Sequence, residues 1–297
     1  MNTMPLMIKR NVKLFFKDKG MFFTSLITPM ILLVLYITFL GNVYRDSFTA
    51  SLPPNLVISD KLIDSLVACQ LVSSILAVSC ITVAFCANFL MVQDKVTGTV
   101  KDLRIAPVKS SVLSLSYYVA TLISTGIICL IAFVGCLGYV ASVGWYLSAS
   151  DVLYLLLDVL LLVFFGTALS SAINFFLSSQ GQISAVGSIV SSCYGFVCGA
   201  YMPLASFGEG LRTAIMFLPG TYGTALVRNH AMQGVLAEME AEGLPAQVIT
   251  SLKDGLDCNI YFFDQAVDIP VMYAVLGGTV LLLILVYILL NACKKKI

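Results

Sequence analysis

Asp94, Lys95, Gly98, Thr99, Asp102, Leu103, Arg104 and Pro107 fall within one stretch, QDKVTGTVKDLRIAPVKSS, residues 93–111. These types in this order do not make a catalytic set. They make a mechanical one, a short rigid helix that a soluble partner can grip. Gly98 permits a tight turn or a close backbone approach. Thr99 can cap a helix beginning there, with Asp102 completing a capping box. Leu103 supplies an apolar knob, and Pro107 stops the helix.

Other chemistry-bearing residues are sparse. Asp158 is the one carboxylate inside an apolar segment. A charge at the bilayer centre costs roughly 2.5–3.5 kcal/mol on insertion scales. Asp158 therefore reads as a hydrated or paired residue near the outer boundary, or as the ion site of a secondary transporter or channel. The lone histidine, His230, has no Cys or carboxylate at ligand spacing and reads as a surface residue. The nine cysteines include no C-x-x-C pair, and only Cys258 sits in a long polar loop. They read as small apolar packing residues, with no disulfide framework and no metal site. Nucleotide, hydrolase and zinc-peptidase motifs are absent. No catalytic residue, metal, cofactor or nucleic-acid partner is expected of this chain.

The elements that must hold the 93–111 block are membrane spans. Of 297 residues 59% are hydrophobic and 11% charged, where soluble domains carry about 25% charged residues. The fold class is all-α membrane protein in one transmembrane domain. At about 1.5 Å per residue, some twenty residues cross a ~30 Å hydrocarbon core. Six such spans are expected, at 22–40, 66–92, 112–140, 152–177, 183–201 and 270–292. Pro29 should kink the first. Residues 4–19, within an interfacial segment 1–21, read as an amphipathic helix lying on lipid. Lys9, Lys13 and Lys17 occupy one side, and Ile8, Val12, Phe15 and Phe16 the other. Residues 202–227 are apolar but broken by Pro203, Gly208, Gly210, Pro219, Gly220 and Gly223. Two short re-entrant helices fit better than a span, with Glu209 and Arg212 paired in one of them. Residues 228–269 read as a polar, acidic loop.

Charge sets the orientation. Most of the 17 Lys and Arg lie in the N-terminal helix, the 93–111 block and the tail Lys294-Lys295-Lys296. Those segments hold only Asp18, Asp94 and Asp102 among 16 acids. Both termini and the block are therefore expected in the cytoplasm, with the acidic loop outside.

Two further patterns lie within spans. Gly187, Ser191, Gly195 and Gly199 recur every four residues, a small-residue stripe that lets helices approach closely, within one chain or across a dimer seam. Ser74, Val78 and Thr82 share a face of the second span, with Gln70 and Ser73 near its outer end. They are candidates either for internal helix contacts or for lining a pathway.

The block resembles the cytoplasmic loop of type-2 ABC transporter permeases. It reads acid–basic–x–x–Gly–Thr–apolar–polar–acid–Leu with a following Pro: Asp94, Lys95, Gly98, Thr99, Val100, Lys101, Asp102, Leu103 and Pro107. The interfacial N-terminal helix, Pro29 and the run from Gly195 to Asn229 also resemble that family. Asp94 stands where Glu is usual, and Ala106 where Ser or Thr is frequent. The resemblance implies a permease subunit in the cell membrane. Its expected partners are a separate ATPase carrying ATP and Mg, docked at residues 94–107, and a second permease chain, identical or not. It also implies ATP-driven export by alternating access, and an apolar path with scattered hydroxyls fits a drug, antibiotic peptide or lipid better than a sugar or ion.

Overall fold

The structure is a computed structural model that describes residues 3–51, 58–105, 110–263 and 265–293. Pro53, Pro54, Pro107 and the Lys294–Lys296 tail lie outside the described residues. The described residues are mostly helical, with one short hairpin. Its elements are α1 (Thr3–Lys17), α2 (Lys19–Leu35), a π-helical turn (Tyr36–Leu40), α3 (Gly41–Ser51), α4 (Asp60–Val96), α5 (Thr99–Ile105), α6 (Ser110–Val143), α7 (Ala149–Asn174) and α8 (Gln180–Val197). There follow α9 (Glu209–Met216), α10 (Pro219–Ala241), α11 (Ala246–Gly255), the antiparallel strands β1 (Ile260–Phe262) and β2 (Gln265–Val267), and α12 (Ile269–Cys293).

Local chemistry places the helix ends. Asp18 accepts from the Met21 amide at 3.0 Å and starts α2. Ser148 with Asp151, and Ser179 with Gln182, form capping boxes at α7 and α8. Five helical stretches are long and apolar enough to cross a membrane: Lys19–Asp46, Asp60–Val96, Ser110–Val143, Ala149–Asn174 and Ile269–Cys293. The fifth expected span, 183–201, corresponds to α8, which is not among them. It has 18 residues, and Gln180, Gln182 and the serines 184, 188, 191 and 192 dilute its apolar character. It ends at Val197 rather than 201, because Gly199 adopts φ +74°. The Ala200 amide then bonds the Gly195 carbonyl at 2.8 Å, and the Gly199 amide bonds the Phe196 carbonyl at 3.1 Å. This is a Schellman cap.

The hub of the bundle is α4, which packs against α2, α6, α7, α8 and α10. Its apolar stretch is wholly buried within this single chain, whereas only about a fifth of the corresponding stretches of the first and last spans is buried. Polar residues knit the hub: Asn88 donates to Ser171 at 2.8 Å and to Thr121 at 3.3 Å, and Asn174 donates to Asn88 at 3.3 Å.

At the acidic end, α10 runs on to Ala241, through residues that read as loop in sequence. The reason is packing: Arg228, Ala231, Met232, Val235, Leu236 and Met239 all turn into the molecule. Arg228, 1% exposed, bonds the Gly199 carbonyl and meets Asp257 at 3.1 Å. Asp257 in turn accepts from the Leu204 amide at 2.9 Å. Burial raises the Asp257 carboxyl pKa, with Arg228 pulling the other way. Asn229 bonds the Cys258 carbonyl at 2.6 Å, so Cys258 is buried, not exposed in a polar loop. Glu209 and Arg212 form no ion pair among the described residues.

Candidate coupling site and membrane groove

The 93–111 block divides by direction. Asp94 is buried at the end of α4. Arg10 of α1 reaches it through both nitrogens, at 2.8 and 3.3 Å, and Tyr117 of α6 donates to it at 2.5 Å. The bond to Asp94 holds the Arg10 guanidinium above its ordinary pKa, against the cost of burial. Lys95 donates to the carbonyls of Asn174, Phe175 and Leu177 at 3.0, 2.9 and 3.2 Å. It thereby caps the carboxyl end of α7. Asp94 and Lys95 thus fasten α1, α6 and α7 to α4.

The chain then turns at Gly98, φ +82°, and α5 begins. The expected capping box does not form, since Thr99 is already helical and its hydroxyl lies 2.9 Å from that of Thr97. Lys101 and Asp102 face outward. Leu103 is half-buried against the core, while Ile105 is 85% exposed. The outward apolar knob is Ile105, one residue type that the motif reading passed over. Val96, at the end of α4, is exposed as well. Pro107 lies outside the described residues, and so does the side chain of Arg104.

The latch on Asp94 also changes the reading of α1. Its buried stripe is Met7, Asn11 and Phe15, not Ile8, Val12, Phe15 and Phe16. A polar residue in the stripe hides it from hydropathy. Asn11 accepts from Arg10 at 2.8 Å and meets Ser116 at 3.5 Å, so its burial is satisfied.

The candidate path residues of the second span are sealed. Gln70, Ser73, Ser74 and Thr82 are at most 2% exposed. The hydroxyls of Ser73 and Thr82 bond carbonyls of their own helix. The accessible space lies beside α4 instead. A groove of about 960 Å³ runs between α2 and α8, floored by Cys86, Phe89 and Gln93 of α4. One wall carries Ile27, Ile31 and Leu35, and the other Ser184, Ser188, Ser191 and Ser192. The small-residue stripe splits accordingly. Gly187 backs onto Phe89, Ser191 lines the groove, Gly195 abuts the Tyr201 ring, and Gly199 is the helix cap.

Asp158 is not alone in its span. Its carboxylate lies 2.6 Å from His230 Nδ1 and accepts from Tyr273 at 2.5 Å, joining α7, α10 and α12. His230 is buried and stacks on Tyr154 with centroids 5.2 Å apart. The surface-histidine reading is corrected by the continuation of α10 into the core. Sequence could have hinted at it only through the helical period of α10.

A multi-spanning helical membrane protein, with a short helix presenting exposed residues between two of its spans and a largely apolar groove between two helices, is by class a membrane transport subunit. Residues 4–231 match the family of ABC-2 type transporters, and the chain belongs to that family. Comparison with curated proteins gives no match, and comparison with solved structures gives none.

Proposed function

We propose that this chain is the membrane subunit of an ATP-driven exporter that moves a hydrophobic or amphipathic molecule by alternating access. A separate ATPase, holding ATP and Mg, docks on α5 from the cytoplasm, where both termini lie. A second permease chain, identical or not, pairs with this one in the cell membrane, and lipid covers the remaining apolar faces. The observation that carries this reading is the division of the 93–111 block. Its outward residues Lys101, Asp102 and Ile105 are free for a partner, while Asp94 and Lys95 tie its base to three other helices. A push on α5 is therefore delivered to α1, α6 and α7 together. The moved molecule travels in the α2–α8 groove, not along α4.

The rival reading, a secondary transporter or channel using Asp158, finds less support. Both carboxylate oxygens are engaged and the side chain is fully buried. The test is co-purification with a candidate ABC ATPase co-expressed with this chain. Ile105→Asp should abolish retention while the permease still inserts. Retention unchanged by Ile105→Asp and by Lys101→Glu would overturn docking on α5.

A further inference from the structure

A second cavity, about 420 Å³, lies toward the acidic end between α3, residues 201–206 and α11. Leu40 and Tyr201 line both this chamber and the groove. We propose that the chamber is a second binding site for an uncharged amphiphile, and that the Tyr201 ring is the barrier between it and the groove. The proposal rests on the reading that the groove carries the transported molecule.

Two backbone irregularities meet at this barrier. On one side the π-helical turn Tyr36–Leu40 interrupts the first span and presents Leu40 at the junction. Such turns inside helices frequently mark functional positions. On the other side the Schellman cap at Gly199 reverses the chain, and the Tyr201 amide also bonds the Gly195 carbonyl at 3.0 Å. The reversal folds the Tyr201 ring back over Gly195. A methyl group at 195 would stand 2.2 Å from Tyr201 Cζ, so only glycine leaves the notch the ring occupies. Phe196 meets the same ring edge-on at 5.0 Å. The barrier is therefore a single side chain seated in a backbone notch and half-buried.

The chemical class follows from the linings. The chamber is walled by Val43, Tyr44, Phe48, Met202 and Pro203, with Ser206 and Ser251 as polar groups. Among the described residues no charged side chain lines it, and the groove has only Asp18, one oxygen of which caps α2. Among the described residues an anion would find no counter-ion along either cavity and a cation only Asp18 at one end of the groove, so a charged ligand would bear a largely uncompensated desolvation cost. An uncharged molecule with an apolar body and a few hydrogen-bonding groups matches both walls.

The test is thiol accessibility in the full chain. Cys193 and Cys293 are the exposed cysteines, and both are replaced by Ser. Ser188→Cys then reports on the groove and Ser206→Cys on the chamber. The reagent is an impermeant cationic methanethiosulfonate added from outside. Ser206→Cys should react readily. Ser188→Cys should react slowly, and at least about tenfold faster when combined with Tyr201→Ala or with Gly195→Ala, which unseats the ring. Tyr201→Phe should stay slow. Size-exclusion elution and thermal melting confirm that each variant is folded. Unchanged Ser188→Cys rates in both ring variants would overturn the barrier. The neutral probe dodecyl maltoside, below micelle concentration, should slow labelling of Ser206→Cys, and dodecyl sulfate should not. Equal protection by the two, or by neither, would overturn the chamber's ligand class. Protection at Ser206→Cys with none at Ser188→Cys would leave the chamber standing and sink the groove as the path.

Discussion

Arg10 grips Asp94 across 84 residues of sequence, with nitrogen–oxygen distances of 2.8 and 3.3 Å on the two carboxylate oxygens. Tyr117 holds the same carboxylate from α6. The N-terminal helix, the hub helix and α6 thus share one buried group, shortly before the chain turns into α5. The pair is only partly screened, the Asp94 side chain being 9% and the Arg10 side chain 28% exposed.

Breaking this latch should cost stability and coupling together. Asp94→Ala leaves a guanidinium and a phenol without their acceptor, a penalty on the order of 1–3 kcal/mol. The expected outcome is a lower melting temperature in detergent and earlier proteolytic release of α1. The double variant Arg10→Asp with Asp94→Arg should recover part of the loss. Equal melting of Asp94→Ala and the parent would show that the latch carries no load.

Ile105 and Leu103 should separate docking from folding. Truncating an interface anchor typically costs more than about 1 kcal/mol of binding. Ile105→Ala should lower ATPase affinity by about fivefold or more with no change in melting, since the side chain touches little of this chain. Leu103→Ala should lower melting first. Affinity measured on purified subunits, beside thermal melting, distinguishes them, and the reverse pattern would mean that α5 presents the other face.

The Asp158–His230 pair should behave as a structural clamp. Removing one partner of a buried pair costs about 3–5 kcal/mol. His230→Ala is therefore expected to destabilise strongly, and Asp158→Asn less, because the amide oxygen still accepts from Tyr273. Flux per folded molecule should persist in Asp158→Asn. Complete loss of flux with normal melting would return Asp158 to the role of an ion site.

Cys258 should resist thiol reagents. It is buried, and burial pushes its thiol pKa up to about 12. A thiol with a raised pKa is almost wholly protonated from about pH 7 to 9, so across that range its labelling should stay far slower than that of an exposed cysteine. Cys193 and Cys293 are exposed and should label. Rapid labelling of Cys258 in the native protein would show that the 256–259 segment is not pinned to α10.

The sequence by itself determined the membrane class, five of the spans to within a few residues except where α4 and α3 run on, the charged helix between the second and third, and the family. Each of these is a sum over many residues or a local motif, and such signals survive without knowledge of neighbours. Direction was decided only by tertiary structure. Asp94 and Lys95 look like free surface charges until Arg10, Tyr117 and the end of α7 are brought to them. The hydroxyls of α4 look like a pathway until five helices enclose it. His230 looks solvated until α10 lays it against Asp158, 72 residues away in sequence. Hydropathy prices a residue against an average solvent. Whether a polar group is buried depends on which partner arrives to satisfy it, and those partners come from distant segments that no local pattern connects.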